Sequence, residues 1–296
     1  MFSFIEAKYA CVCAKVRAMY GKRVKAADYQ ALIGMKSVAA IADYLRANTS
    51  YAEVFEQAAH SDIHRGQLES TIRLELFREY IKIFRVMSIS DQSVGRYLLL
   101  KNEADALYLC LRAFNAGEPF TLSGYSYEFL EQFSRIDLEK LRAAQTFADI
   151  LRVLEPTPYY RIIRDLPPGK GGLVNLTALE RALQTYYYQS VFDVIDRHLK
   201  GNERKNLRNF FLAQIELENI GAILRLKKYY HAKLATIEFF LLPFYSRLTR
   251  DDLKRLIAMP TPEAILDALK SGKYRRIFGA YDYPYIEGYT RHAVHT

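Results

Sequence analysis

Apolar positions in this chain recur at intervals of three and four residues, a spacing that only a helix gathers on one side, and strand-like alternation is hard to find. The pattern itself occurs three times. One segment runs Asp28, Leu32, Ser37, Ile41, Leu45, Tyr51, Val54, and a second repeats its offsets as Asp137, Leu141, Thr146, Ile150, Leu154, Tyr160, Ile163. A third reads Asp252, Leu256, Thr261, Ile265, Leu269, Tyr274, Ile277, its last two positions one residue early, as a single deletion in a turn would give. Each segment predicts a short helix around the Asp and the first Leu. An N-cap follows at Ser37, Thr146 or Thr261, whose oxygen accepts orphan amide hydrogens, and then a second helix whose Ile and Leu share one stripe. Pro262 at a first helical position, and Pro156 and Pro158 after a last one, agree with these starts and stops.

Two longer helices are predicted after each of the first two segments. Leu68, Glu69, Ile72, Leu76, Tyr80 and Phe84 match Leu179, Glu180, Leu183, Tyr187, Val191 and Ile195. Further on, Glu103, Asp105, Leu107, Leu111 and Arg112 align with Glu216, Glu218, Ile220, Leu224 and Arg225. The third copy reaches Thr296 before either long helix. The expected fold is therefore all-α, with an N-terminal helix at 1–22, helical repeats at 23–117 and 118–230, and a truncated third repeat at 231–296. The opening helix aligns with the last helix of a repeat, setting Val12, Val16 and Arg17 against Ile220, Leu224 and Arg225, so it is expected to complete the third unit.

Composition narrows the class. Half of the 296 residues are hydrophobic, enough for a sizeable core. The formal charge of +9 favours acidic partners, yet the basic residues are dispersed. The densest groups, Arg204-Lys205 with Arg208, Lys227-Lys228, and Lys273 with Arg275-Arg276, read as solvated helix faces and C-termini. The longest uncharged run, Ala182 to Phe192, is about half of what a bilayer requires. Glu6, Lys8, Lys15 and Arg17 interrupt the opening helix, so no leader is expected and the chain is placed in the cytoplasm. Cys11, Cys13 and Cys110 have no zinc-like pairing and are expected to be buried thiols.

No motif points to chemistry. Gly169-Lys170-Gly171-Gly172 lacks the Ser/Thr and preceding strand of a phosphate loop and reads as a connection. His60, Asp62 and His64 read as a loop ahead of a long helix, because further ligands are missing nearby. Catalytic, cofactor and metal residues are all expected to be none. The 23 tyrosines permit base stacking, but Tyr186-Tyr187-Tyr188 lies in an amphipathic helix, where packing is the better use. Glu216, Glu218, Asn219 and Arg225 lie among Phe211, Ile215, Ile220 and Leu224. They are expected to pair with a neighbouring helix and fix the repeat.

Glu216-Leu217-Glu218-Asn219 and Leu224-Arg225-Leu226-Lys227-Lys228-Tyr229-Tyr230 resemble the signature of the C (or d) subunit of V-type and archaeal-type rotary ATPases. Tyr9 to Met19 resembles that family's opening helix, with Cys13 where Asn is usual and Lys15 where Arg is usual. Asp105-Ala106 stands where the second copy has Glu218-Asn219, and the third pair of long helices is missing. The resemblance implies a funnel of three domains around a pseudo-threefold axis. It implies a structural polar network of Glu216, Glu218, Asn219, Arg225, Asp105, Arg112 and Arg17, without catalysis. In that family the protein is a socket between the central shaft, made of the D and F subunits, and the membrane rotor ring of c/K subunits, passing torque for ATP-coupled proton or sodium transport. It implies a cytoplasmic protein peripheral to the membrane, touching it only through the complex, with no small-molecule substrate. Nucleic acid is not expected as a partner on this reading. The residues alone leave open a second, a basic helical-repeat scaffold or RNA-binding protein.

Overall fold

The computed structural model describes residues 4–55, 63–87, 96–122 and 124–279. Among the described residues the regular elements are helices, apart from one antiparallel bridge between Pro168 and Val174. His60 and Asp62 lie outside them. After α1 (Phe4–Gly21) come three short helices, α2 (Ala26–Ile33), α3 (Val38–Asn48) and α4 (Ala52–Phe55), and the long α5 (Arg65–Phe84) and α6 (Tyr97–Ala116). The second set opens with α7 (Gly124–Phe133) and continues through α8 (Leu138–Ala143), α9 (Phe147–Leu154) and α10 (Tyr159–Arg164) to the long α11 (Leu176–His198) and α12 (Gly201–Tyr230). The third comprises α13 (Leu234–Phe240), α14 (Arg250–Ala258), α15 (Pro262–Ser271) and α16 (Arg275–Phe278).

The predicted caps form in every copy. Ser37 Oγ accepts from Ala40 N–H at 3.2 Å, Thr146 Oγ1 from Asp149 N–H at 3.1 Å, and Thr261 Oγ1 from Ala264 N–H at 3.2 Å. Pro262 fills the first turn of α15, where no amide is needed. The preceding helices differ. Asp28 and Asp252 sit inside α2 and α14, accepting from the backbone N–H of Lys25 and Thr249, whereas Asp137 is itself the N-cap of the shorter α8.

The rings that enter the cores correct one alignment. In the second copy the buried tyrosine is Tyr159, followed by Ile163; Tyr160 is half-buried, with the Arg164 guanidinium over its ring. In the third copy Tyr274 and Phe278 are buried in the same four-residue relation, so these two copies need no deletion between them.

Packing divides the chain into two compact units, Met1–Val174 and Asn175–Thr296. In the first, Ala42, Leu45, Phe55, Ile63 and Leu68 make one core of short helices against α5, and α1 also rests on α5. Phe77, Tyr80 and Phe84 of α5 stack with Phe129 and Phe133 of α7. In the second unit Ile220, Ile223 and Leu224 of α12 pack with Ile237, Ile265, Leu269, Tyr274 and Phe278. In the second unit the long helix α12 therefore shares a core with the short helices that follow it, whereas in the first α5 packs on short helices both before and after it. Copy two is split, its short helices in the first unit and its long helices in the second.

Cys110 is buried, and burial pushes its thiol up to about 12, but Cys11 and Cys13 are exposed, against expectation. They lie on α1, which rests on α5. Gly171 and Gly172 take left-handed φ of 65° and 80°, as a tight connection demands of glycine. Tyr187 and Tyr188 are buried, with ring centroids 4.8 Å apart. Among the described residues no helix is long and apolar enough to cross a membrane.

Replacing Thr261 with Ala removes the N-cap acceptor of α15 and should lower unfolding free energy by about 1 kcal/mol. Urea titration followed by circular dichroism measures it; an unchanged midpoint would show that water replaces the cap fully.

Candidate functional site

The long helix α12 carries a carboxylate into an apolar core. Glu216 is only 2% exposed, and among the described residues no cation pairs with it. Three neutral groups serve it instead: Leu248 N–H donates to Oε2 at 2.6 Å, Ser246 N–H to the same oxygen at 3.3 Å, and the Tyr274 hydroxyl to Oε1. One turn further, Asn219 is equally buried and clasps the backbone of Leu242, its Nδ2 donating to the carbonyl at 3.0 Å and its Oδ1 accepting from N–H at 2.9 Å. A single turn of α12 thus fastens both the segment leading into α14 and the start of α16. Burial, and then the bond to Glu216, hold the Tyr274 phenol far above its usual range, so it remains a donor.

The same arrangement recurs in the first unit. Glu103 on α6 accepts from the Tyr159 hydroxyl at 2.9 Å and from the Ser134 hydroxyl at 2.6 Å, and Ser134 Oγ in turn accepts from Ile136 N–H at 3.0 Å. Ser134-Arg135-Ile136 and Ser246-Arg247-Leu248 occupy matching places before α8 and α14. In both, a glutamate on a long helix gathers donors from a Ser-Arg-apolar triplet and from the buried tyrosine of the following short helices.

The sequence-derived polar set is thereby divided. Glu216 and Asn219 meet at the clasp. Glu218 is exposed and accepts from the Tyr188 hydroxyl at 3.0 Å, with burial and this carboxylate holding that phenol protonated. Asp105 is exposed and pairs with Lys101 at 3.1 Å, while Arg17, Arg112 and Arg225 are exposed side chains. Glu103 and Tyr274, noted in the sequence only as aligned positions, and Ser134 and Tyr159, not singled out there, complete the clasps. The repeated Ser-Arg-apolar triplet, read beside the Glu103–Glu216 alignment, was the available signal.

Beside the clasp lies an open groove of about 860 Å³ between α11, α12 and α13, lined by the apolar Ala222, Leu226 and Phe240 and by the charged Arg181, Arg225 and Glu180. Nearby, Asp252 of α14 accepts from Lys273 Nζ at 2.6 Å, from Thr249 N–H at 2.9 Å and from Arg255. The Lys273 ammonium, and next the Thr249 amide, hold its carboxyl well below the usual carboxylate range. Among the described residues no group of three or more His, Cys, Asp or Glu is placed to hold a metal ion.

Helices joined by buried carboxylate clasps define an all-α protein in which Glu103, Glu216 and Asn219 hold one helical layer to another. The chain belongs to the family of the ATP synthase (C/AC39) subunit, whose model it matches over residues 12–293. It is similar to the C subunit of the A-type ATP synthase of Methanosarcina acetivorans, with 25% identity over 222 residues, 74% of this chain and 59% of the relative. The corresponding protein of Methanosphaera stadtmanae is 24% identical over 72% of this chain and 53% of its own length. That of Methanocaldococcus jannaschii is 24% identical over 92% of this chain and 67% of its own. The chain thus spans between about half and two thirds of these curated relatives.

Removing the Tyr274 hydroxyl with Tyr274→Phe should cost about 1.5–3 kcal/mol, as expected for a bond to a charged acceptor. Glu216→Gln should cost a similar amount, and the two changes together less than their sum, a coupling that a double-mutant cycle in urea measures. Strict additivity would refute the clasp. Asp252 supplies the pH dependence. Its folded value lies below its unfolded one, so its stabilisation is complete above about pH 4 and is lost as pH falls toward the folded value. Asp252→Asn should therefore be less stable than the parent at pH 7, with the gap closing below about pH 4 in urea melts at each pH.

Proposed function

We propose that this chain is a non-catalytic central-stalk component of a rotary A/V-type ATPase. It acts as a socket joining the D–F shaft to the membrane rotor ring and passes torque for ATP-coupled ion transport. The family match over residues 12–293 carries this reading. The relatives are named as the C subunit of A-type ATP synthases, which supports membership of such a complex. The clasps support a mechanical role, because a part that transmits torque must resist shear between its helices, and densely packed cores with internal hydrogen bonds do so. On this reading three related helical domains stand around a pseudo-threefold axis as a funnel. The protein lies at the cytoplasmic side, peripheral to the membrane and reaching it only through the ring.

The reading is tested by size exclusion of the protein mixed with the D and F proteins of the same organism at moderate salt, with single-stranded RNA as a parallel ligand. The expected result is a stoichiometric complex with the shaft and RNA binding that vanishes as salt rises. Failure to bind the shaft, together with salt-resistant RNA binding, would replace the socket with a nucleic-acid scaffold.

A further inference from the structure

The groove of the second unit contains two guanidinium groups without acceptors among the described residues. Arg181, on α11, lies over the Phe239 ring of α13 with its charge centre 4.9 Å from the ring centroid. Its Nε is buried and has no hydrogen-bond partner. The ring contact holds the guanidinium at the groove, and its two Nη groups, which make no hydrogen bond among the described residues, can take a carboxylate by two parallel bonds. Arg225, on α12, flanks the same groove, is exposed, and has no hydrogen-bond or ion-pair partner among the described residues. The same groove is also lined by the apolar Ala222, Leu226 and Phe240.

We infer that this groove docks an acidic segment of a partner polypeptide, its carboxylates held by Arg181 and Arg225 and its apolar side chains laid on the apolar lining. Charge complementarity decides the kind of partner. Glu180 and Glu218 also line the groove, and Glu218 is already engaged by Tyr188. A polyanion of uniform charge, such as RNA, would meet these carboxylates along its length, whereas a polypeptide places its acids only where the arginines lie. The pair also belongs to one copy. The counterpart of Arg225 in copy one is Arg112, but that of Arg181 is Ser70, so the two-arginine groove does not recur there. A singular docking point in a repetitive chain suits a singular partner. The inference rests on the adaptor reading in that the partner is the shaft.

The experiment measures binding of the assembled D–F shaft to the full chain by biolayer interferometry at moderate salt. Arg181→Gln, Arg225→Gln and their combination are compared with Arg152→Gln, a change at an arginine exposed in the first unit. Expected are a loss of about ten-fold or more for each groove change, a larger loss for the pair, and no change at Arg152. Arg181→Lys should also weaken binding, because an ammonium keeps the charge but lacks the fork, and it decides the matter if a Gln variant melts early. Wild-type binding left unaltered by all groove variants would overturn the groove and leave the adaptor reading standing. If the shaft does not bind the wild type at all, both fail. If poly(U) binds and the groove changes abolish that binding, the polypeptide assignment is overturned.

Discussion

A carboxylate drawn into an apolar core must be surrounded by donors or lose its charge, and the second unit is organised around meeting that demand at Glu216. Its three donors come from two places distant in sequence, the entry to α14 and the start of α16. Satisfying one side chain therefore positions two elements at once. Because the donors are neutral, no second charge has to be desolvated, and the cost that weakens buried ion pairs is avoided. Asn219, one turn along, adds a backbone clasp at Leu242, so the layer of short helices is held by two residues within one turn of a single long helix.

The first unit reaches the same end by a slightly different route. Where Glu216 binds backbone amides directly, Glu103 binds the Ser134 hydroxyl, which relays the interaction to Ile136 N–H. In both units the tyrosine contact survives, which marks it as the invariant part of the joint within this chain.

Much of the fold was legible in the sequence because its signals are local. A Ser or Thr before an apolar stripe is a cap wherever the chain goes next, and Ser37, Thr146 and Thr261 all formed as their spacing required. Other features depended on long-range geometry. Tyr159 and Tyr160 both fit a helical period, and only the position of Glu103 on another helix decides which ring turns inward. Arg225 and Glu218 sit in an apolar stretch of sequence but emerge on the open side of α12, since a helix wide enough to be buried on two sides still has a third. The short helices α7 and α13 went unforeseen, being brief and lacking a repeated marker, and the exposure of Cys11 and Cys13 depended on which side of α1 meets α5.

The offset between sequence copy and packing unit bears on how such a chain can be divided or extended. A cut after Tyr230, where the second copy ends by sequence, would separate α12 from Ile237, Ile265 and Tyr274 and open a core on both fragments. A cut at Val174 runs through a glycine-rich connection instead and leaves each core with its own clasp. The second unit is thus a long-helix pair with the short helices that follow it, and a division of the chain that keeps this core whole must respect that frame.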